Sequence, residues 1–326
     1  MGGGIHGDDV FNRIVSLENL FLAWREFRKG KRAKHDVQQF EFALEDNIFQ
    51  LHDELVSRAY RHDVYVPFSI NDPKPRHIHK ATVRDRLLHH AIFRVLYPVF
   101  DRCFIFDSYS CRIKKGTHRA VRRLQVFARK ASANNSRNFF ALKCDIRRYF
   151  DSIDHRILRS LIHRNIVDCD ALWLIGQILN SYHQFPGTGL PLGNVTSQLF
   201  ANIYLHELDR FVKHELRAPF YMRYCDDFLL LGSSAEQLLQ AKDDIADFLQ
   251  QRLRLQMHPN KVALYTHRQG IDFVGYVVRP HCTTLRTKTR RRILERVTSE
   301  NKPAYLGILQ HCNGYKFAEI LKRMVR

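Results

Sequence analysis

The sequence predicts an α+β fold, in which a mainly helical N-terminal region precedes an antiparallel sheet of the split β-α-β kind with helices on one face. Two patterns and the composition predict it. Within residues 1–60, Leu17, Leu20, Phe21 and Trp24 recur at helical spacing, and Phe40, Leu44, Ile48 and Leu51 do so again. From 139 to 278 the pattern runs strand, helix, strand hairpin, helix, strand. The 326 residues are 45% hydrophobic and 26% charged, with 10 prolines and 15 glycines, so a sizeable core forms without a disulfide or metal staple.

Between the two helical patterns, Arg28-Lys29-Gly30-Lys31-Arg32 is a basic turn, either solvated or in contact with phosphate. Residues 64–70 alternate as a strand, Asn71-Asp72-Pro73 marks a turn, and Lys74-Pro75-Arg76-His77-Ile78-His79 is short and basic. Residues 84–100 place Leu87, Leu88, Ala91, Ile92, Val95 and Leu96 on one helical face, and Gly116 opens a helix carrying Arg119, Arg122 and Arg123. Residues 139–146 read as a buried strand that ends on Asp145, and Asp154 is a candidate N-cap for the helix after it. The stretch 187–193 is too rich in glycine to be helical and feeds a helix over 197–216. Residues 221–231 read as two short strands with Asp226 and Asp227 in the turn between them. Ser234-x-x-Gln237 caps the next helix, and strands near 262–265 and 273–278 pair to close the pattern. The resulting segments are an N-terminal extension 1–60, then 61–138, then 139–280 with an insertion near 155–185, then a basic tail 281–326.

The 52 Lys and Arg against 33 Asp and Glu give a formal charge of +19, the footprint of a nucleic-acid or anionic-membrane partner. A merely soluble basic protein is the bland alternative. Seven cysteines without a C-x-x-C pair argue against a disulfide framework and a zinc ribbon, and His281-Cys282 with His311-Cys312 matches no zinc spacing. No apolar run approaches the ~20 residues of a membrane span, and Met-Gly-Gly-Gly is no signal peptide, so no membrane partner and a reducing cytoplasm are expected.

Phosphoryl transfer demands positioning and neutralisation of charge, commonly by magnesium held through one or two carboxylates plus phosphate and water. Asp145 at one strand end and Asp226 and Asp227 in a hairpin of the same sheet converge if their strands are neighbours. Alone, each has a bland reading as a turn or cap residue. Two adjacent carboxylates between apolar strands repel one another unless cations neutralise them, which favours a metal site.

Tyr224-Cys225-Asp226-Asp227 resembles the Y-x-D-D motif of reverse transcriptases, and Asp145-Ile146-Arg147-Arg148-Tyr149-Phe150 resembles the motif preceding it. The glycine-rich loop and helix between them match too. The resemblance covers roughly residues 60–280 and implies a right-hand polymerase, with fingers over 61–138, palm over 139–280 and a short basic thumb over 281–326. It implies that Asp145 and Asp226 bind two Mg2+ ions, for which Mn2+ can substitute, with Asp227 and the Ile146 backbone carbonyl beside them. Phe150 resembles the steric gate against a ribose 2′-OH, Lys74 and Arg76 the fingers residues that grip the incoming triphosphate, and Arg112 a weaker candidate for that task. Lys261 resembles the lysine that protonates pyrophosphate, and Gly275 and Tyr276 the turn holding the primer end.

Leu192-Gly193-Asn194-Val195-Thr196-Ser197-Gln198 has the aliphatic-Gly start and Ser-Gln end of diversity-generating retroelement enzymes. In that family the loop, with Gly193 and Gln198, lies under the nascent base pair, and errors fall at template adenines. The resemblance implies a template RNA, an RNA/DNA hybrid, deoxynucleotides, a small accessory helical protein, and a bacterial or phage origin. The tail, with Arg286, Lys288, Arg290, Arg291, Arg292 and Arg296, is either a phosphate-binding thumb or a solvated face. No integrase, nuclease, RNase H or maturase segment is read after it, so other activities are expected from partners. Rival readings are a retron or anti-phage reverse transcriptase and, from another class, a silent RNA-binding scaffold.

Overall fold

A computed structural model describes residues 9–71 and 75–324, so Lys74 and the Asp72-Pro73 part of the expected turn lie outside the described residues. The chain forms two compact units, each built from separated segments: Met1–Ile105, Arg148–Leu208 and Leu249–Leu255 in the first, Phe106–Arg147, Asp209–Phe248 and Gln256–Arg326 in the second.

The first unit opens with helices α1 (Val10–Val15), α2 (Leu17–Phe27), α3 (His35–Phe42) and α4 (Leu44–Val56). The periodicity over 40–51 predicts one helix, but the chain breaks at Ala43 (φ −121°, ψ 51°), where the side-chain amide of Asn47 donates to the Phe40 carbonyl at 3.0 Å and satisfies an end that a longer helix would have covered. A hairpin of β1 (Val66–Ile70) and β2 (Arg76–Lys80) follows, then α5 (Val83–Asp101). The stripe expected on α5 is buried throughout. Its N-terminus is secured by Asp85, fully buried, which accepts hydrogen bonds from the Tyr60 hydroxyl (2.9 Å), the Asp63 amide (3.1 Å) and the Thr82 hydroxyl (2.7 Å).

The second unit begins with α6 (Thr117–Ala131) and β3 (Phe140–Cys144). The chain returns to the first unit for α7 (Tyr149–Ser152), α8 (His155–His163), α9 (Cys169–Asn180) and most of α10 (Val195–Arg210). Asp154 caps α8 as expected, accepting from the Arg156 and Ile157 amides at 2.8 and 3.1 Å. Helix α10 starts two residues earlier than predicted, and its tail is a π-helical turn, Phe211–Glu215. The loop before it needs glycine: Gly193 has φ +116°, and a Cβ there would meet Ile78 Cγ2 at 3.0 Å. The His79 amide donates to the Leu192 carbonyl at 3.1 Å, tying β2 to this loop.

Strands β4 (Tyr221–Tyr224) and β5 (Asp227–Gly232), helix α11 (Ala235–Leu253) and strand β6 (Ala263–Thr266) complete an antiparallel sheet of order β4-β5-β3-β6. This is the split β-α-β arrangement predicted. Both faces are buried, however, not one: Ala141, Leu229 and Leu231 pack under α6, while Leu142, Tyr221, Phe228 and Leu230 are equally enclosed on the other side. The expected pairing of 262–265 with 273–278 is not formed. Strand β6 pairs with β3 instead, and 273–278 is itself a hairpin of β7 (Ile271–Phe273) and β8 (Tyr276–Val278), joined by β9 (Thr283–Leu285) in a second sheet. Val274 (φ +43°) and Gly275 (φ +91°) form its turn, so the chain reverses at this glycine. Helices α12 (Thr287–Arg296), α13 (Lys302–Leu309) and α14 (Tyr315–Met324) close the unit.

Gly193→Ala forces a side chain into a left-handed backbone against Ile78 and is expected to cost about 1–3 kcal/mol, read as a lower midpoint of chemical unfolding.

Candidate active site

The register of β3 with β5 sets Cys144 opposite Phe228, so the next step of the ladder brings Asp145 beside Asp227. Directly opposed residues of an antiparallel pair lie about 4.5–5.5 Å apart at Cα. Tyr224 pairs with Asp227, leaving Cys225 and Asp226 as a two-residue turn with Cys225 left-handed at φ +58°. The sequence pattern put both aspartates in the turn. Only Asp226 is there; Asp227 is the first residue of β5, because its pairing with Tyr224 closes the hairpin.

Asp145 is buried, and Asp226 and Asp227 are partly so. Burial pushes the Asp226 carboxyl above its ordinary range, and the charge on Asp145 adds to this. Burial pushes Asp227 up to about 6, opposed by Lys143 and helped by Asp226 and Asp145. Lys143 Nζ lies 3.7 Å from Asp227 Oδ1, and Lys261 Nζ donates to Asp145 Oδ1 at 2.8 Å. Two lysines thus face three crowded carboxylates. Sequence reading missed Lys143; its signal was a lone cation inside an apolar strand.

The donor set suits a hard divalent cation: every candidate ligand is oxygen, and the raised carboxyls mark negative charge that the protein leaves only partly neutralised. Among the described residues no group of three or more His, Cys, Asp or Glu is placed to hold a metal ion by itself. That accords with magnesium sites in which substrate phosphate and water supply most ligands. The backbone around Ile146 is pinned: the Asp145 carbonyl accepts from the His258 amide (2.7 Å), Ile146 bridges Met257, and the Arg147 amide donates to the Gln256 carbonyl (2.8 Å).

Beneath the turn lies a pair the sequence reading did not single out. Arg223 and Asp209 are fully buried and joined by a two-pronged ion pair, Nε–Oδ1 2.7 Å and Nη2–Oδ2 2.7 Å. An arginine between apolar neighbours on a buried strand was the available signal.

The remaining candidates divide between the units. Arg76, Phe150, Gly193 and Gln198 are in the first. Arg76 opens β2 and is exposed, Phe150 is half-buried with its ring edge-on to Tyr149, and Gln198 is exposed in the first turn of α10. A cavity of about 560 Å³ in this unit is lined by Lys31, Lys34, Lys80, Arg86, Gly193 and Gln198 among others, and burial, with the charges of Lys31 and Arg86 beside it, holds His90 down at about 4. In the second unit, Arg112 donates to the Ser108 carbonyl at 3.2 Å. Gly275 occupies the β7–β8 turn, and the Tyr276 side chain points into the core, its hydroxyl donating to the Ile308 carbonyl at 3.1 Å.

The fold defines a right-hand polymerase. It aligns with telomerase from Candida albicans in complex with a fragment of telomeric RNA (TM-score 0.53, 12% identity, covering 79% of this chain and 54% of that one). It aligns likewise with apo telomerase from Candida tropicalis truncated from its C-terminal domain (TM-score 0.51, 13% identity, 72% and 59%). The chain belongs to the reverse transcriptase (RNA-dependent DNA polymerase) family, whose pattern matches residues 71–278, and it is an enzyme of that class. It is 25% identical over 268 residues to protein YkfC of Escherichia coli strain K12, covering 69% of each chain. It is 25% identical over 278 residues to the group II intron-encoded protein LtrA of Lactococcus lactis subsp. cremoris, covering 64% of this chain and 45% of LtrA. These relatives support the family, not the diversity-generating subtype expected from the loop at 192–198. Members of the family generally use divalent metal ions. No described helix is long and apolar enough to cross a membrane.

Because the Asp227 carboxyl is raised in the folded state, it binds protons there that the unfolded chain has released, so it lowers stability as pH rises towards about 6 and beyond. In metal-free protein, Asp227→Asn should therefore melt higher than wild type at pH 7–8, by about 1–3 kcal/mol. The gain should shrink as pH falls below about 6 and vanish only below the ordinary carboxyl value of 3.8, where the group is protonated in both states; calorimetry across this range checks it.

Proposed function

We propose that this chain copies RNA into DNA by nucleotidyl transfer at Asp145, Asp226 and Asp227. The observation that carries this reading is the crowding of these three carboxylates at the ends of neighbouring strands, with Asp226 and Asp227 both raised. Asp145 and Asp226 would hold two Mg2+ or Mn2+ ions, aided by Asp227 and the Ile146 carbonyl. Bound there, the ions would neutralise charge developing on the transferred phosphoryl group.

The primer 3′-hydroxyl gives its proton to solvent as its oxygen bonds to the α-phosphorus of the deoxynucleotide, and the bond from that phosphorus to the bridging oxygen of pyrophosphate breaks. Lys261, its side chain half-exposed, leaves Asp145 to give a proton to the departing pyrophosphate. Lys74 and Arg76, with Arg112, grip the triphosphate, as the charge and fork geometry of such side chains suit. Phe150 excludes a ribose 2′-OH, Gly193 and Gln198 underlie the nascent pair, and Gly275 with Tyr276 guides the primer end through backbone groups. In this reading 61–138 are fingers, 139–280 palm and 281–326 thumb, and the charge of +19 attracts template RNA and RNA/DNA hybrid.

Leu192-Gly193 and Ser197-Gln198 support an error-prone enzyme of the diversity-generating type, working with a small helical accessory protein in a bacterial cytoplasm. The seven free cysteines accord with that compartment. Similarity to an intron-encoded protein favours a second reading, faithful copying with a different fate for the cDNA, as in intron, retron or anti-phage systems.

Primer extension on a mixed-sequence RNA template with magnesium and four deoxynucleotides should yield cDNA whose errors concentrate at template adenines; faithful product would leave the second reading. Asp226→Ala should lower synthesis by at least about 1,000-fold while RNA binding persists. Synthesis unaffected by that change would refute the site and favour the scaffold. Phe150→Val should admit ribonucleotides about 10- to 100-fold more readily, scored by competing ribo- and deoxynucleoside triphosphates.

A further inference from the structure

Building on the metal-site reading above, we propose that Arg223, oriented by Asp209, is the positioning residue that fixes Asp226 for metal capture. Its neighbours on β4 leave a guanidinium no access to water: Tyr221 and Met222 are fully buried and Arg223 is 1% exposed. Such a group is tolerated only when its charge is paired and its N–H groups are occupied.

Asp209 neutralises the charge through the two-pronged contact already described. Tyr221, two residues earlier and on the same face of β4, holds Asp209 in turn, its hydroxyl donating to Oδ1 at 2.7 Å. Nη2 also reaches Ser108 Oγ at 3.3 Å. Nη1 donates to the Cys225 carbonyl at 3.0 Å. That carbonyl belongs to the peptide joining Cys225 to Asp226, so the guanidinium grips the backbone immediately before the ligand.

The Tyr224–Asp227 pairing closes the turn and the Cys225 thiol hydrogen-bonds Asp226, but the turn is strained, and there the grip matters. Cys225 is left-handed at φ +58°, a conformation that costs a residue with a side chain about 1–2 kcal/mol. The main chain of Arg223 is fixed as well: its amide donates to the Asp107 carbonyl and its carbonyl accepts from the Tyr109 amide, both at 2.9 Å. The fork is therefore anchored on a rigid strand, on a buried carboxylate and on the strained turn at once. With its charge met by Asp209, Arg223 acts on Asp226 through geometry. Lysine keeps the charge and loses the fork, so it does not replace arginine here.

The test is Mn2+ binding by the full chain, followed by loss of the free-ion paramagnetic resonance signal, beside single-turnover primer extension. Arg223→Lys should weaken Mn2+ binding about 10- to 100-fold and slow turnover in step, the cost typical of removing a partner that orients a metal ligand. KM for template–primer should stay within about twofold of wild type. Tyr221→Phe, which leaves the fork intact, should lower the melting temperature without changing Mn2+ affinity. A purely structural role would give both variants lower stability and wild-type Mn2+ binding, and that result overturns the proposal. If Arg223→Lys fails to fold, Asp209→Asn, which keeps the shape and weakens the fork, supplies the same comparison. Asp226→Ala separates the two readings: Mn2+ binding and synthesis unchanged in that variant would sink the metal site itself, whereas their loss beside an unaffected Arg223→Lys would sink only the positioning role.

Discussion

The antiparallel register between β3 and β5 is the constraint on which the rest of the site depends. With Cys144 opposite Phe228, Asp145 and Asp227 leave the ladder side by side; a slip of one residue would turn every side chain of one strand to the opposite face and separate the carboxylates. The register is well specified because a one-residue slip would turn Lys143 or Asp227 into the packed face now filled by Leu142, Phe228 and Leu230. Core packing thereby sets the geometry of the acidic cluster, although none of the packed side chains takes part in chemistry.

That geometry is held against its own electrostatics. Carboxylates that are partly buried and close together disfavour the ionised state, and the shifts at Asp226 and Asp227 have those causes. Lys143 and Lys261 reduce the repulsion without removing it. A charge of +19 overall thus coexists with negative charge concentrated at one strand end.

What was legible in the sequence was whatever depends on local spacing. The stripe of α5, the Asp154 cap, the glycine loop and the Y-x-D-D hairpin follow from residues a few positions apart. Strand partnership was not legible in the same way. Nothing local tells β6 to pair with β3 and not with 273–278, and the Val274-Gly275 turn hides in a stretch that reads as a continuous strand because both flanks are apolar. Lys143 and the Arg223–Asp209 pair escaped for a related reason. A cation inside an apolar strand is visible locally but its partner is not, and the relation between residues 14 apart exists only once α10 and β4 have folded.

The division of the chain into interleaved segments bears on how the protein is made. The first unit is completed by Leu249–Leu255, whose Leu253 carbonyl accepts from the Tyr204 hydroxyl at 2.7 Å and whose Arg254 pairs with Asp154 at 2.8 Å. A nascent chain therefore cannot finish its N-terminal half first, as consecutive domains do on the ribosome. It must keep the helices before Ile105 and those between Arg148 and Leu208 waiting while β4, β5 and most of α11 are synthesised. Closing such distant segments is slow and leaves apolar surface uncovered meanwhile, so the demand for chaperone protection is greatest before residue 255 leaves the exit tunnel.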